Sequence, residues 1–129
     1  MLPNINEDDL WNYDADRIDQ VLTNLIDNAT RYTHPGDSIT ITANKDSQYQ
    51  ILNINDTGSG IAPEHLDHVF DRFYKVEASR TRGKQGTGLG LFISKMIIQE
   101  HGGIISVEST VNKGTTFIIK LPKPSIDSK

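Results

Sequence analysis

The order of periodicities along this chain predicts an α+β two-layer sandwich, with helices laid on one face of a largely antiparallel sheet. Two observations predict it: two strongly apolar-faced helical segments, and two pairs of period-two runs, each pair joined by a short polar turn. In the first segment, apolar residues at Ile18, Val21, Leu22, Leu25, Ile26 and Ala29 keep the spacing of one helical face, with Asp14 placed to cap its start. That helix is expected to end near His34, Pro35 and Gly36. The runs Ile39 to Ala43 and Tyr49 to Asp56, separated by Asn44 to Gln48, read as a hairpin. Pro63 can start a short helix through Val69, and Asp71 to Gln85 sustains no period and is expected to be mobile. Gly86 to Gly90 opens the second strong helix, with Leu91, Ile93, Ser94, Ile97 and Ile98 inward and Gly102-Gly103 at its end. Two strands, Ile104 to Glu108 and Thr116 to Leu121, joined by a turn at Asn112-Lys113-Gly114, close the chain. Met96, Phe70, Phe73 and Phe92 read as core or lid packing.

With 129 residues, 36% of them hydrophobic, the chain suits one domain spanning 1–129, its core from about 10 to 121. Thirteen basic against seventeen acidic residues leave a net charge of −4, so no global polyanion coat is indicated and no nucleic-acid partner is expected. The absence of cysteine excludes disulfides, thiolate metal sites and a cysteine nucleophile. No run approaches the ~20 apolar residues that span a bilayer, and the acidic first fifteen residues do not resemble a signal peptide. Both ends read as cut points beside a compact unit, so a fragment of a larger protein is expected.

Chemistry concentrates in three places. Asn24 and Asn28 lie four apart on the first helix, with Arg31 one turn further along the same flank. A solvated helix edge is the plain reading. The sharper one is an Mg²⁺ and phosphate site, because Mg²⁺ leans on the nucleotide's own oxygens and one neutral amide oxygen from Asn28 can suffice where carboxylates would repel a triphosphate; Arg31 then offers charge to a phosphate. Asp56 shares a strand face with Leu52 and Ile54, so its carboxylate points where core residues point and needs a partner. Thr57-Gly58-Ser59-Gly60 follows at once, either a simple turn or a close approach of backbone to a ligand. An ionised Asp56 would favour adenine, which offers an amine donor where guanine offers an acceptor.

Gly86-Thr87-Gly88-Leu89-Gly90 places free backbone N–H groups at a helix start, where the dipole attracts phosphate. Its spacing matches neither the dinucleotide fingerprint nor the P-loop. Before it, Arg72, Lys75, Arg80, Arg82 and Lys84 face only Glu77, which is a solvated loop or a cationic lid over phosphates. None of the four histidines sits in a cluster of partners that would make it catalytic.

Five motifs occur in order: Asn24 to Tyr32, Asp56 to Ile61, Phe70 to Tyr74, Gly86 to Leu91 and Gly114 to Phe117. Together they resemble the catalytic, ATP-binding domain of sensor histidine kinases, in the GHKL superfamily, over nearly the whole chain. The resemblance implies a Bergerat-type fold, a mixed, largely antiparallel sheet of about five strands covered on one face by about three helices. It also implies that ATP lies between the first helix, the Asp56 turn and a mobile lid from about Ile61 to Gln85. By motif position Asn28 corresponds to the Mg²⁺ ligand with Asn24 beside it, Tyr32 to the residue that packs on adenine, and Asp56 to the adenine-reading carboxylate with Gly58, Gly60 and Ile61 next to it. Gly86, Thr87, Gly88, Leu89 and Gly90 correspond to the phosphate segment, Thr115 belongs to the last motif, and Arg72 and Lys75 correspond to lid cations assigned, with the two asparagines, to catalysis. Arg31 stands where the family usually has Lys, and Asn112 where the last motif usually has its first Gly.

In the family the phosphate acceptor is a histidine on a separate dimerisation domain, followed directly by Glu or Asp. The residues after this chain's histidines are Pro35, Leu66, Val69 and Gly102. The chain is therefore expected to be a cytoplasmic fragment, monomeric alone, that binds Mg·ATP without phosphorylating itself. The implied parent is a homodimer anchored in the cell membrane that passes phosphate to a response regulator. ATPases of the same superfamily are the enzymatic alternative; they use a Glu to activate water where this chain has Asn24, and an amide cannot take that proton. A nucleotide-binding module without catalysis is the other.

Overall fold

The computed structural model describes residues 15–74 and 89–122. In chain order the elements are α1 (Ala15–Arg31), β1 (Ile39–Lys45), β2 (Tyr49–Asp56), α2 (Pro63–Leu66), α3 (Gly90–Glu100), β3 (Ile104–Thr110) and β4 (Gly114–Pro122). The strands form one sheet in the order β1-β2-β4-β3, every neighbouring pair antiparallel. The two-layer α+β expectation holds with four strands rather than about five. The sequence itself carries only four period-two runs, and the fifth strand of the resemblance is not among the described residues.

The core forms where the helical and strand periods meet. Ile18, Val21, Leu22 and Leu25 of α1 and Ile97 and Ile98 of α3 face Leu52 and Ile54 of β2 and Phe117, Ile119 and Leu121 of β4, all buried. Alternation on β2 and β4 sends every second side chain inward. Each such side chain contributes roughly 1.5–3 kcal/mol on leaving water. Phe70 sets its ring edge against Phe117 at 6.1 Å between centroids. Helices α1 and α3 lie side by side over this face, so the Asn24 flank of α1 meets the start of α3.

Some boundaries move. Helix α1 ends at Arg31, and the chain tightens through Tyr32 N–H to the Ala29 carbonyl at 3.1 Å before the Asp37 carboxylate accepts the His34 N–H at 2.8 Å. Helix α2 ends at Leu66 rather than Val69, and successive turns carry the chain on to Tyr74. Of the four residues read as core or lid packing, two lie outside the core. Phe73 has a left-handed backbone at φ 64° and is 60% exposed, and Met96 on the outer face of α3 is 43% exposed.

Candidate functional site

Strand β2 delivers Asp56 to the end of the core stripe, 2% exposed. Its carboxylate accepts the Gly58 N–H at 2.9 Å and a bond from the Thr115 backbone. Burial pushes this carboxyl above the ordinary range; the two backbone N–H groups oppose the shift and the nearby Asp37 adds to it. A carboxylate that has lost its water and keeps an uncommitted oxygen lone pair is poised to accept one more donor.

The turn after Asp56 is built by close backbone approach. A Cβ on Gly58 would stand 2.1 Å from the Tyr32 carbonyl oxygen, which also accepts the Ser59 N–H at 3.0 Å. Gly60 takes φ 77°, and its Cβ would stand 2.2 Å from the Thr110 carbonyl oxygen. The β3–β4 turn locks against the same segment, with Asn112 N–H on the Ser59 carbonyl at 2.7 Å. Asn112 adopts φ 67°, which Asn tolerates better than most side chains, so the turn stays tight although Gly is missing there. Beneath it, the Ser109 hydroxyl oxygen accepts the Ile61 N–H at 2.7 Å and bonds the Thr115 hydroxyl at 2.8 Å and the Gly114 carbonyl at 2.9 Å. Ile61 and Thr115 are buried within this knot.

At the other end lies the polar flank of α1. Asn24 donates its amide to the Gly90 carbonyl at 3.3 Å and to the Ser94 hydroxyl at 3.2 Å, linking α1 to the first turn of α3. Asn28, one turn on, is 7% exposed and its side chain makes no hydrogen bond among the described residues. Arg31 and Tyr32 are half-buried where α1 runs out; burial pushes the Tyr32 hydroxyl upward, and the Arg31 charge opposes it. Leu89 caps α3, accepting the Ile93 N–H at 2.8 Å.

The fold therefore brings together Asn24, Asn28, Arg31 and Tyr32 on α1 and its end, Asp56, Gly58, Gly60 and Ile61 on the turn after β2, Leu89 and Gly90 at the start of α3, and Thr115 on β4. Arg72 stands apart from the asparagine flank. Its guanidinium lies 5.3 Å from the Phe73 ring and 5.8 Å from the Phe92 ring, over a groove of about 480 Å³ on the face of α3 turned away from Asn24. Lys75, Gly86, Thr87 and Gly88 lie outside the described residues, as does the part of the expected lid from 75 to 85. Sequence reasoning passed over Ser109, although Ile105, Val107 and Ser109 alternate on one side of β3, and gave Ser94 no part beyond packing.

A buried strand-end carboxylate, a glycine turn closed by a second hairpin and an amide-lined helix, set on a two-layer sandwich, define the GHKL class of ATP-binding domain. The chain belongs to the histidine kinase-, DNA gyrase B- and HSP90-like ATPase family, whose model matches residues 13–125. It is 73% identical over 115 residues to the sensor protein SrrB of Staphylococcus aureus strain NCTC 8325 / PS 47, covering 89% of this chain and 20% of that protein. The chain thus spans about a fifth of the curated relatives it matches. A nucleotide-free catalytic domain of histidine kinase ThkA superposes with a TM-score of 0.73 at 36% identity, covering 86% of this chain and 70% of that one. The mycobacterial sensor histidine kinase MprB does so at 0.72 with 29% identity, covering 85% and 74%. Within the family, the chain is an ATP-binding catalytic domain of the sensor histidine kinase type.

Proposed function

We propose that this domain binds Mg·ATP between α1, the Asp56 turn and the glycine-rich segment leading into α3, and donates the γ-phosphate to a histidine on a separate dimerisation domain of its parent. The observation that supports it best is Asp56, a buried carboxylate steadied by two backbone N–H groups and facing the end of an amide-lined helix. Asp56 accepts the adenine amine, Tyr32 packs on the base, and Gly58, Gly60, Ile61 and Thr115 shape its pocket. Gly86, Thr87, Gly88, Leu89 and Gly90 wrap the phosphates. Arg31 offers a guanidinium where a phosphate passes the end of α1. Asn28 would hold Mg²⁺ through a neutral amide oxygen that no donor occupies among the described residues, and the ion would neutralise triphosphate charge there.

Phosphoryl transfer needs positioning and charge more than a protein base. Asn24 fits that demand, since an amide already donating to Gly90 and Ser94 cannot take a proton from water as an ATPase base must. Lys75 and Arg72 supply cations as the lid closes, which requires Arg72 to leave its place over Phe73 and Phe92. The response regulator is served through the dimerisation domain, the parent being a membrane-anchored homodimer and this domain a monomer. Among the described residues no helix is long and apolar enough to cross a membrane.

Mixing the domain with a separately produced dimerisation domain and γ-labelled ATP tests this directly. Acid-labile label is expected on the dimerisation domain, with none on this chain alone. Label on this chain, or saturable ATP binding with no transfer at any ratio of the two domains, would reject the kinase reading.

A further inference from the structure

Helix α3 reaches across to α1 through a small closed set of hydrogen bonds. The Ser94 hydroxyl donates to the Gly90 carbonyl at 2.8 Å, and both oxygens accept from the Asn24 amide, at 3.2 Å and 3.3 Å respectively. A backbone carbonyl can only accept, so the nitrogen end of the carboxamide must face α3. Ser94 spends its single proton on Gly90, which leaves its oxygen free to receive Asn24. With its nitrogen held by those two oxygens, the Asn24 oxygen lies over the start of α3, 4.0 Å from where a Cβ on Gly90 would stand. That oxygen accepts no hydrogen bond among the described residues. Ser94 is fully buried, so it cannot touch a nucleotide, and water cannot compete for its lone pairs.

A serine bonded to the carbonyl four residues back in its own helix is commonplace. Here the same hydroxyl also receives a side chain from the neighbouring helix, at the position where the glycine-rich segment enters α3. We propose that Ser94 is a positioning residue: its hydroxyl, held by the Gly90 carbonyl, gives the Asn24 nitrogen a second acceptor beside that carbonyl and so steadies the amide with its oxygen presented at the start of α3 to the hydrated Mg²⁺ of Mg·ATP. The inference rests on the Mg·ATP reading and adds to it the residue that, with the Gly90 carbonyl, holds the Asn24 amide in place. A nitrogen presented there would oppose a cation and the waters around it.

The test is the gain in ATP affinity on adding Mg²⁺, measured by calorimetry with and without excess chelator, on this chain and on Ser94→Ala. The substitution is expected to reduce that gain about three- to tenfold, as the loss of one oriented polar contact does, and to leave chelator-condition affinity nearly unchanged. Ser94→Thr, which keeps the hydroxyl, should restore the gain. In an Asn24→Ala background Ser94→Ala should take away nothing more. A purely structural serine would alter both affinities alike and would add to Asn24→Ala. In the unsubstituted chain the Asn24 carboxamide protons should exchange with solvent more slowly than those of an exposed asparagine such as Asn44, and equal rates would overturn the proposal. If Ser94→Ala keeps the full Mg²⁺ gain, this inference falls alone; if the unsubstituted chain shows no gain, it falls together with the Mg·ATP reading.

Discussion

Around Asp56, backbone and side chains close on one another: Gly58 presses on the Tyr32 carbonyl, the β3–β4 turn bonds Ser59, and Ser109 joins Ile61 to Thr115. Among the described residues on the flank of α1, Asn28 offers an amide with no protein partner and Asn24 is secured through its nitrogen alone. The contrast follows from what each end is proposed to receive. A flat base is recognised by one carboxylate and by shape, so the protein can complete that pocket in advance. A triphosphate and its cation bring their own charge and water, so protein oxygens there are best left uncommitted.

Substitutions at the two ends should therefore fail differently. Gly58→Ala is expected to do the most damage, because a methyl group 2.1 Å from a carbonyl oxygen forces two backbone segments apart. A loss of about 3 kcal/mol or more of stability should appear in chemical denaturation. An unfolding midpoint near that of the parent chain would show that the turn is softer than its contacts imply.

Asp56→Asn comes next, with a loss of about 1–3 kcal/mol of ATP binding, since an amide nitrogen would meet the adenine amine. Its stability should change in the opposite sense. The folded carboxyl is raised above its unfolded value, so between the two values the native state holds a proton that the unfolded chain has released. Stability then falls as pH rises through the folded value, and a neutral side chain at this position should stabilise the domain at pH 7 and flatten that fall. ATP affinity should fall as pH is lowered into the raised range, because the base needs the ionised form. Calorimetry and thermal melts between pH 4 and 8 on both proteins would separate the two effects, and parallel pH profiles would remove Asp56 from base recognition.

Asn112→Ala should cost about 1 kcal/mol of stability, the penalty of a left-handed backbone for a side chain without Asn's local hydrogen bonding. Asn28→Ala should be the mildest for the fold, within about 0.5 kcal/mol, because its side chain makes no hydrogen bond among the described residues. It should nevertheless abolish the Mg²⁺ gain in ATP affinity. A large drop in melting temperature for Asn28→Ala would mean that this end is as closed as the other, and would erase the distinction.

Much of this arrangement is legible in the sequence because it rides on simple periods. The face that buries Ile18, Val21, Leu22 and Leu25 fixes which flank carries Asn24 and Asn28, and the alternation of Leu52, Ile54 and Asp56 places a carboxylate at the core's rim. What periods do not encode is a partner far away in the chain. Ser109 meets Ile61 across 48 residues and Ser94 meets Asn24 across 70, and in the sequence each is only a small inward-facing serine. Phe73 misleads for another reason: an aromatic residue amid Phe70 and Tyr74 suggests packing, but its left-handed backbone turns it outward beside Arg72. The Asn112 turn shows the converse, since Asn adopts the geometry for which the family usually has Gly.

The contrast between a completed base pocket and an open phosphate flank is tested most directly by titrating the domain calorimetrically with adenosine and with ATP, each in Mg²⁺ and in excess chelator. The account predicts that adenosine binds with the same affinity in both conditions, while ATP binds more tightly in Mg²⁺. Adenosine that fails to bind at millimolar concentration, or ATP whose affinity is indifferent to Mg²⁺, would contradict it.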